Sequence, residues 1–271
     1  MTEAANEITP LILTWNEAPN IGRSLERLTW ARRIVVVDSF STDETEAICR
    51  RFPQVDFVQR KFDDHPAQWN FGLAQVQSEW ALTLDADYVL SDELVSELKH
   101  WRPGDAVDAA FAAFRYCIFG RPLRASLYPP RAVLCRPKRC HYEADGHTQR
   151  LAIPGGTARL RGVIFHDDRK PLSRWLQMQD RYARLEAEKL LSTPRAALSW
   201  PDRLRRWMWP APVLVFCHTL LGKGLLFEGW RGWYYVLQRT LAETLLALRL
   251  MEARLDSRAE SGGSTERAHS R

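Results

Sequence analysis

The stretch Trp80–Asp87 constrains this chain most: an apolar run, Trp80-Ala81-Leu82-Thr83-Leu84, ends in Asp85-Ala86-Asp87. The run is short and bounded by polar sequence, the signature of a buried strand. Side chains alternate faces along a strand, so Asp85 and Asp87 are expected on one side with Ala86 between them. Two carboxylates placed so repel each other unless a cation lies between them. A divalent ion held by oxygen ligands and completed by diphosphate oxygens is one solution. The plainer reading is a strand followed by an acidic loop or cap, and Ser91-Asp92-Glu93 would supply the cap.

The flanking sequence extends this into an α/β pattern. Met1 to Glu7 reads as a loose N-terminus. Ile8 to Trp15 reads as a first strand, broken by Asn16-Glu17-Ala18-Pro19-Asn20. Ile21 to Trp30 has helical spacing, and Ile34 to Val37 is a second strand that Asp38 ends. Thr42 or Asp43 can cap a helix through Arg50. A third strand at Val55–Gln59 and a helix from His65 to Val76 precede the Trp80 strand. This alternation predicts a mostly parallel sheet flanked by helices, with ligands beyond the carboxyl ends of the strands. Asn16, Glu17, Asp38, Asp43, Asp85 and Asp87 all fall there. Neither a Gly-x-Gly-x-x-Gly turn nor a Gly-Lys-Ser/Thr phosphate loop is present, so metal-bridged phosphate is the expectation.

Beyond Asp108 the pattern is irregular and β-rich, with prolines as breaks. Ala158 to Phe165 reads as a strand ending at His166-Asp167-Asp168, and Pro171 to Leu190 as a helix. The five cysteines are odd in number and not closely paired, which fits a reducing compartment and no zinc site. The N-terminus carries no signal-peptide succession, and no run is apolar enough to span a membrane.

Together these motifs resemble the family 2 glycosyltransferases of GT-A fold, nearest the bacterial branch of lipopolysaccharide-core glucosyltransferases. The matching segments are Leu13-Thr14-Trp15-Asn16-Glu17, Val37-Asp38-Ser39-Phe40-Ser41-Thr42-Asp43, Gln68-Trp69-Asn70 and Leu84-Asp85-Ala86-Asp87. The resemblance covers residues 8 to 100 well and continues weakly to His166. It implies a metal-dependent, inverting transfer from a nucleotide-sugar donor, a UDP-sugar first among them, to a cell-envelope glycan or lipid-linked acceptor. Thr14, Asn16, Glu17, Asp38, Asp43, Gln68, Asn70 and Asp85 would bind the donor. Asp87 and His166 would hold Mg²⁺ or Mn²⁺. The chain departs from many relatives in having Tyr88 after the Asp-x-Asp, and Asp145-Gly146-His147-Thr148 in place of Val-His-Glu. The general base is therefore Asp145 or His147. A sugar-nucleotide nucleotidyltransferase would need an arginine-bearing glycine loop after the first strand, which is missing. An inactive binding scaffold fits poorly with an intact Asp85 and Asp87.

The expected organisation is a donor half at 8–115, an acceptor half at 116–193, amphipathic helices at 194–256 and a disordered tail at 257–271. Net charge is +5, with arginine concentrated in the second half. Trp200, Trp207, Trp209, Trp230 and Trp233 lie among those arginines. Trp233, Tyr234, Leu237, Leu241, Leu245 and Leu248 form an apolar stripe. Tryptophan and arginine together suit an anionic membrane surface. The expected location is therefore cytoplasmic, peripheral on the inner face of the cytoplasmic membrane. An acidic nucleotide pocket leaves nucleic acid no role, and the sequence is silent on oligomeric state.

Overall fold

A computed structural model describes residues 7–145 and 148–268, apart from the side chains of Asp145, Thr148 and residues 257–268. The chain divides into two compact units, Met1–Lys170 and Pro171–Arg271. The helix placed by sequence in an acceptor half thus belongs to the second unit.

The first unit is built on one large sheet. Its strands are β1 (Ile8–Thr14), β2 (Ile34–Asp38), β3 (Val55–Gln59), β4 (Trp80–Asp85), β5 (Tyr88–Leu90), β6 (Val107–Ile118), β7 (Arg121–Pro122), β8 (Arg131–Cys135) and β11 (Gly156–His166). The order is β3-β2-β1-β4-β8-β6-β11-β5, with β7 paired to β6. β1 to β4 are parallel neighbours, β11 is parallel to β6, and β8 and β5 run antiparallel to theirs. A separate hairpin joins β9 (His141–Asp145) to β10 (Thr148–Ala152). This mostly parallel α/β sheet is the GT-A architecture that the resemblance implied.

Period-two alternation sorts the strand residues into two cores. Ile8, Ile12, Ile34, Val36, Trp80, Leu82 and Leu84 pack on one face with α1 (Ile21–Glu26) and α4 (Asp92–Lys99). Leu11, Val35, Val37 and Ala81 pack on the other, with Trp69 and Leu73 of α3 (His65–Gln75). A Cβ at Gly72 would come within 2.6 Å of Leu11, so glycine is what lets α3 lie this close to β1. Ser91 does cap α4, accepting from Leu94 N at 3.1 Å. The cap of α2 (Thr45–Cys49) differs from expectation: Glu44 holds the N-cap position, and Asp43 accepts from Thr45 N at 3.0 Å.

One correction bears on the site. β4 stops at Asp85, and Ala86-Asp87 forms a turn, so Asp87 is not on the strand. Only those two residues separate β4 from β5, yet β8, β6 and β11 lie between them in the sheet order. The sheet must therefore curl back on itself. His166 pairs with Tyr88 in register, and Asp167 N donates to Asp87 O at 3.0 Å. The curl thereby sets the end of β11 beside the Asp87 turn.

The second unit is helical: α5 (Leu172–Ser192), α6 (Trp200–Arg205), α7 (Pro210–Cys217) and α8 (Gly229–Ala268), with a π turn at His218–Gly222 and a 3-10 turn at Leu225–Glu228. Ala183, Ala187 and Leu190 of α5 pack on Leu246 and Leu250 of α8. The backbone of α8 stays helical into the stretch that sequence assigned to a tail. Most of the predicted apolar stripe is not on the packed face, although Leu245 does pack against the α5–α8 core. Tyr235, Val236, Leu246, Ala247 and Leu250 are buried, whereas Trp233, Leu237, Leu241 and Leu248 are exposed. The helix is apolar on two faces, and periodicity alone does not say which one packs.

Candidate functional site

At the carboxyl ends of β1 and β2, backbone strain and side-chain hydrogen bonds join two loops. Asn16 and Phe40 both adopt left-handed backbone, with φ of 53° and 58°. Such conformations persist in non-glycine residues only where the surroundings hold them. Here the hold is visible. Asn16 N donates to Ser41 Oγ at 2.7 Å, and Thr42 N donates to Asn16 Oδ1 at 2.7 Å. Glu17 N donates to Thr45 Oγ1 at 2.7 Å, and Ala18 N to Asp43 Oδ2 at 3.1 Å.

Asp38 lies beneath these loops and is fully buried. Thr14 Oγ1 donates to its Oδ1 at 2.9 Å, and Ser41 N to its Oδ2 at 2.8 Å. Both oxygens are thus occupied within the chain. Gln68 is fully buried too and donates to Ser39 Oγ at 3.1 Å. Asn70 donates to Tyr142 O at 2.9 Å and accepts from Tyr142 N at 2.8 Å, which fixes β9. The Tyr142 ring stacks on Trp69 with centroids 5.3 Å apart. Sequence assigned Asp38, Gln68 and Asn70 to the donor; the structure shows them organising the loops and the hairpin around the strand ends. Replacing Asn70 with Ala leaves both Tyr142 backbone groups unsatisfied and should destabilise the fold by about 2 kcal/mol. Urea unfolding of the variant checks this.

The charged centre lies where β4, β5 and β11 meet. Asp85 pairs with Leu13 in the β1–β4 ladder, and its side chain has no hydrogen-bond or ion-pair partner among the described residues. Asp87 Oδ2 faces His166 Nε2 at 3.1 Å, while Asp87 Oδ1 and His166 Nδ1 are buried without partners. Burial pushes the Asp87 pKa up, but the charge and hydrogen bond of His166, with Lys170, outweigh it and hold the carboxyl at about 2. Burial lowers the His166 pKa, but Asp87, with Asp85 and Asp168, outweighs it, and the net shift is upward. Rings of Tyr88, Tyr116 and Tyr128 surround the imidazole at 5.4, 4.9 and 4.8 Å. Tyr88, the departure from the acidic residue of many relatives, thus serves as a buried wall for His166, its hydroxyl paired with that of Tyr128.

Because the Asp87 pKa is depressed on folding, its contribution is present above the ordinary carboxylate range and lost as pH falls toward 2. The difference amounts to about 2 kcal/mol. Wild type should lose that much more stability than Asp87→Asn between about pH 4 and pH 2, read by urea unfolding at each pH.

A second cluster adjoins the first, and sequence reasoning missed most of it. Lys170 Nζ lies 2.7 Å from Glu17 Oε1 and 3.4 Å from Asp168 Oδ1. Burial lowers the Lys170 pKa, but Asp87 and Glu17 lift it well above the usual lysine value. Burial raises Glu17 to about 7 against the pull of Lys170, with Asp87 adding to the rise. Asn20 donates to Glu17 Oε2 at 2.9 Å and to Asp168 Oδ1 at 3.0 Å. Arg23 ion-pairs with Asp167, which also accepts from Gly120 N at 2.9 Å. The only sequence signal was the charged run His166–Lys170 at a strand end.

Asp145 ends β9, in register with Thr148, and its side chain lies outside the described residues. His147 lies outside them altogether.

Residues 11–165 match the glycosyl transferase family 2. The chain belongs to that family. This family 2 glycosyltransferase is 32% identical over 95 residues to an uncharacterised glycosyltransferase of Rickettsia felis, covering 35% of this chain and 33% of that protein. It is 30% identical over 95 residues to the lipopolysaccharide core biosynthesis glycosyltransferase LpsC of Rhizobium meliloti, covering 34% and 35%. The match spans about a third of the length of these relatives. Among solved structures, S. aureus TarS 1-349 in complex with UDP-GlcNAc gives a TM-score of 0.49 at 13% identity, covering 88% of this chain and 90% of that one. Glucosyl-3-phosphoglycerate synthase from Mycobacterium tuberculosis, with Mn²⁺, UDP and glucosyl-3-phosphoglycerate, gives 0.46 at 18% identity, covering 69% and 81%.

Proposed function

We propose that this family 2 glycosyltransferase performs a metal-dependent, inverting transfer of a sugar from a uridine diphosphate donor to a cell-envelope glycan or lipid-linked acceptor. The observation that carries this reading is Asp87: a buried carboxylate, held ionised, with one oxygen lacking any partner. An orphaned buried carboxylate oxygen is costly unless a ligand completes it. Among the described residues no three His, Cys, Asp or Glu side chains assemble as a metal-ligand set. Mg²⁺ is commonly held by one or two carboxylates with substrate phosphates supplying the rest, so Asp87 with Asp85 or His166 fits the ion. Bound there, Mg²⁺ or Mn²⁺ would neutralise charge on the leaving diphosphate.

The chain's own residues would do the remainder. The joined loops at Asn16–Glu17 and Ser41–Asp43 would seat the nucleoside, and Asp38 holds them in shape from below. Lys170, paired with Glu17 and Asp168, would supply positive charge to the diphosphate. Asp145 or His147 would act as the base and take the proton from the acceptor hydroxyl. That oxygen forms the new bond to the anomeric carbon as the bond to the diphosphate breaks, and nucleoside diphosphate leaves. Nucleotide-sugar supply and a lipid-linked acceptor together favour the inner face of the cytoplasmic membrane. A hydrolysis screen across nucleotide sugars, with and without Mn²⁺, tests the donor class. Hydrolysis of a uridine donor that a chelator stops is the expected result, and full activity under strong chelation would exclude the metal.

A further inference from the structure

The second unit exposes an apolar surface that nothing within it covers. Trp209 is 75% exposed, Leu221 65%, Phe227 80% and Trp230 61%. Trp209 is the N-cap of α7, Leu221 and Phe227 lie in the two turns after it, and Trp230 is in the first turn of α8. The chain bends by 70° between Pro210–Gly222 and Leu225–Asp256. Several large apolar side chains this exposed on neighbouring segments of one chain mark an interaction site. Its electrostatic setting identifies the occupant. From Arg203 to Phe227 the chain has no Asp or Glu, while Arg203, Arg205, Arg206 and Lys223 supply positive charge. Arg205 is paired with Glu243 at 2.8 Å; Arg203, which donates to Leu198 O and Ala196 O at 2.9 Å, and Lys223 are exposed. Cations beside exposed tryptophan match an anionic lipid surface, with the rings at headgroup depth.

The structure also limits the depth. Among the described residues no single helix is long and apolar enough to cross a membrane. The uncharged stretch Pro210–Gly222 is about 20 Å long at helical rise, short of the hydrocarbon thickness. Beyond the bend, α8 is held by charged contacts. Arg249 Nε donates to Asp180 Oδ1 at 3.0 Å, and Arg254 Nη2 to Arg206 O at 2.8 Å. Those groups belong in water. We infer that α7 and the two turns after it form a shallow elbow that seats in the headgroup–acyl boundary of an anionic bilayer. This deepens the membrane placement proposed above and is independent of the donor chemistry.

The test is co-sedimentation of the purified full chain with vesicles of phosphatidylcholine, alone or mixed with phosphatidylglycerol. Binding should require phosphatidylglycerol and weaken only in part at high salt. The combined variant Trp209→Ser, Leu221→Ser, Phe227→Ser should bind about tenfold or more weakly. Its hydrolysis of the nucleotide-sugar donor should be unchanged, which separates loss of docking from failure of the donor reading. If that variant does not fold, Arg203→Glu with Lys223→Glu should abolish the preference for anionic vesicles. Wild type that ignores both vesicle types, or a variant that binds as well as wild type, overturns the inference. Resistance of the bound protein to alkaline carbonate would show a broken span instead and overturn it too. A lipid-free dimer that the serine variant dissociates would make the surface a subunit contact and would likewise overturn it.

Discussion

Asp87→Asn should lower glycosyl transfer by two to three orders of magnitude, on the order of what losing one preorganised charge-stabilising group costs. The substitution keeps shape and volume, so the fold should survive. It removes the charge that His166 and Lys170 hold in place, and with it the oxygen that lacks a partner in the chain. The effect should fall on turnover and on metal-dependent donor binding together, because the same carboxylate serves both. His166→Asn should produce a weaker version of the same loss. Steady-state kinetics with Mn²⁺ varied at saturating donor would read it. A variant with near-normal turnover and an unchanged metal requirement would remove Asp87 from the centre of the site.

Asp145→Asn should reduce turnover by about a hundredfold to ten-thousandfold, the range of general-base contributions. Donor affinity should stay nearly constant, since the base acts on the acceptor hydroxyl. The first strand of the hairpin that carries it, β9, is fixed to α3 by Asn70 and by Tyr142 stacked on Trp69. If donor affinity collapses along with turnover, Asp145 belongs to the donor pocket. His147→Ala then becomes the variant that tests the base.

The sheet was legible because its strands are short apolar runs whose alternate residues feed two cores, and because acidic residues mark where those runs end. The Asp-x-Asp geometry was not. A two-residue period places Asp85 and Asp87 on one strand, but the chain leaves β4 at Asp85 because the curled sheet brings β5 alongside. Curl is set by pairings distant in sequence, and no local window contains them. The Lys170–Glu17 pair joins residues 153 apart, and Arg23–Asp167 joins residues 144 apart, so neither leaves a local trace. Gln68 and Asn70 show the same limit. Their bonds to Ser39 Oγ and to the Tyr142 backbone join α3 to a loop and a hairpin distant in sequence, which no local pattern shows. In α8 the apolar stripe was read correctly as a stripe, and which side it faces depended on packing against α5.

The Asp87 turn and the joined loops beside it are proposed to form a metal-dependent nucleoside diphosphate site. Isothermal titration of uridine diphosphate into the full chain, with Mn²⁺ and then with chelator, tests it most directly. The account predicts binding with Mn²⁺, its loss under chelation, and its loss in Asp87→Asn with the fold retained by circular dichroism. Binding of equal strength in all three conditions, or no binding of any nucleoside diphosphate at millimolar concentration, would contradict it.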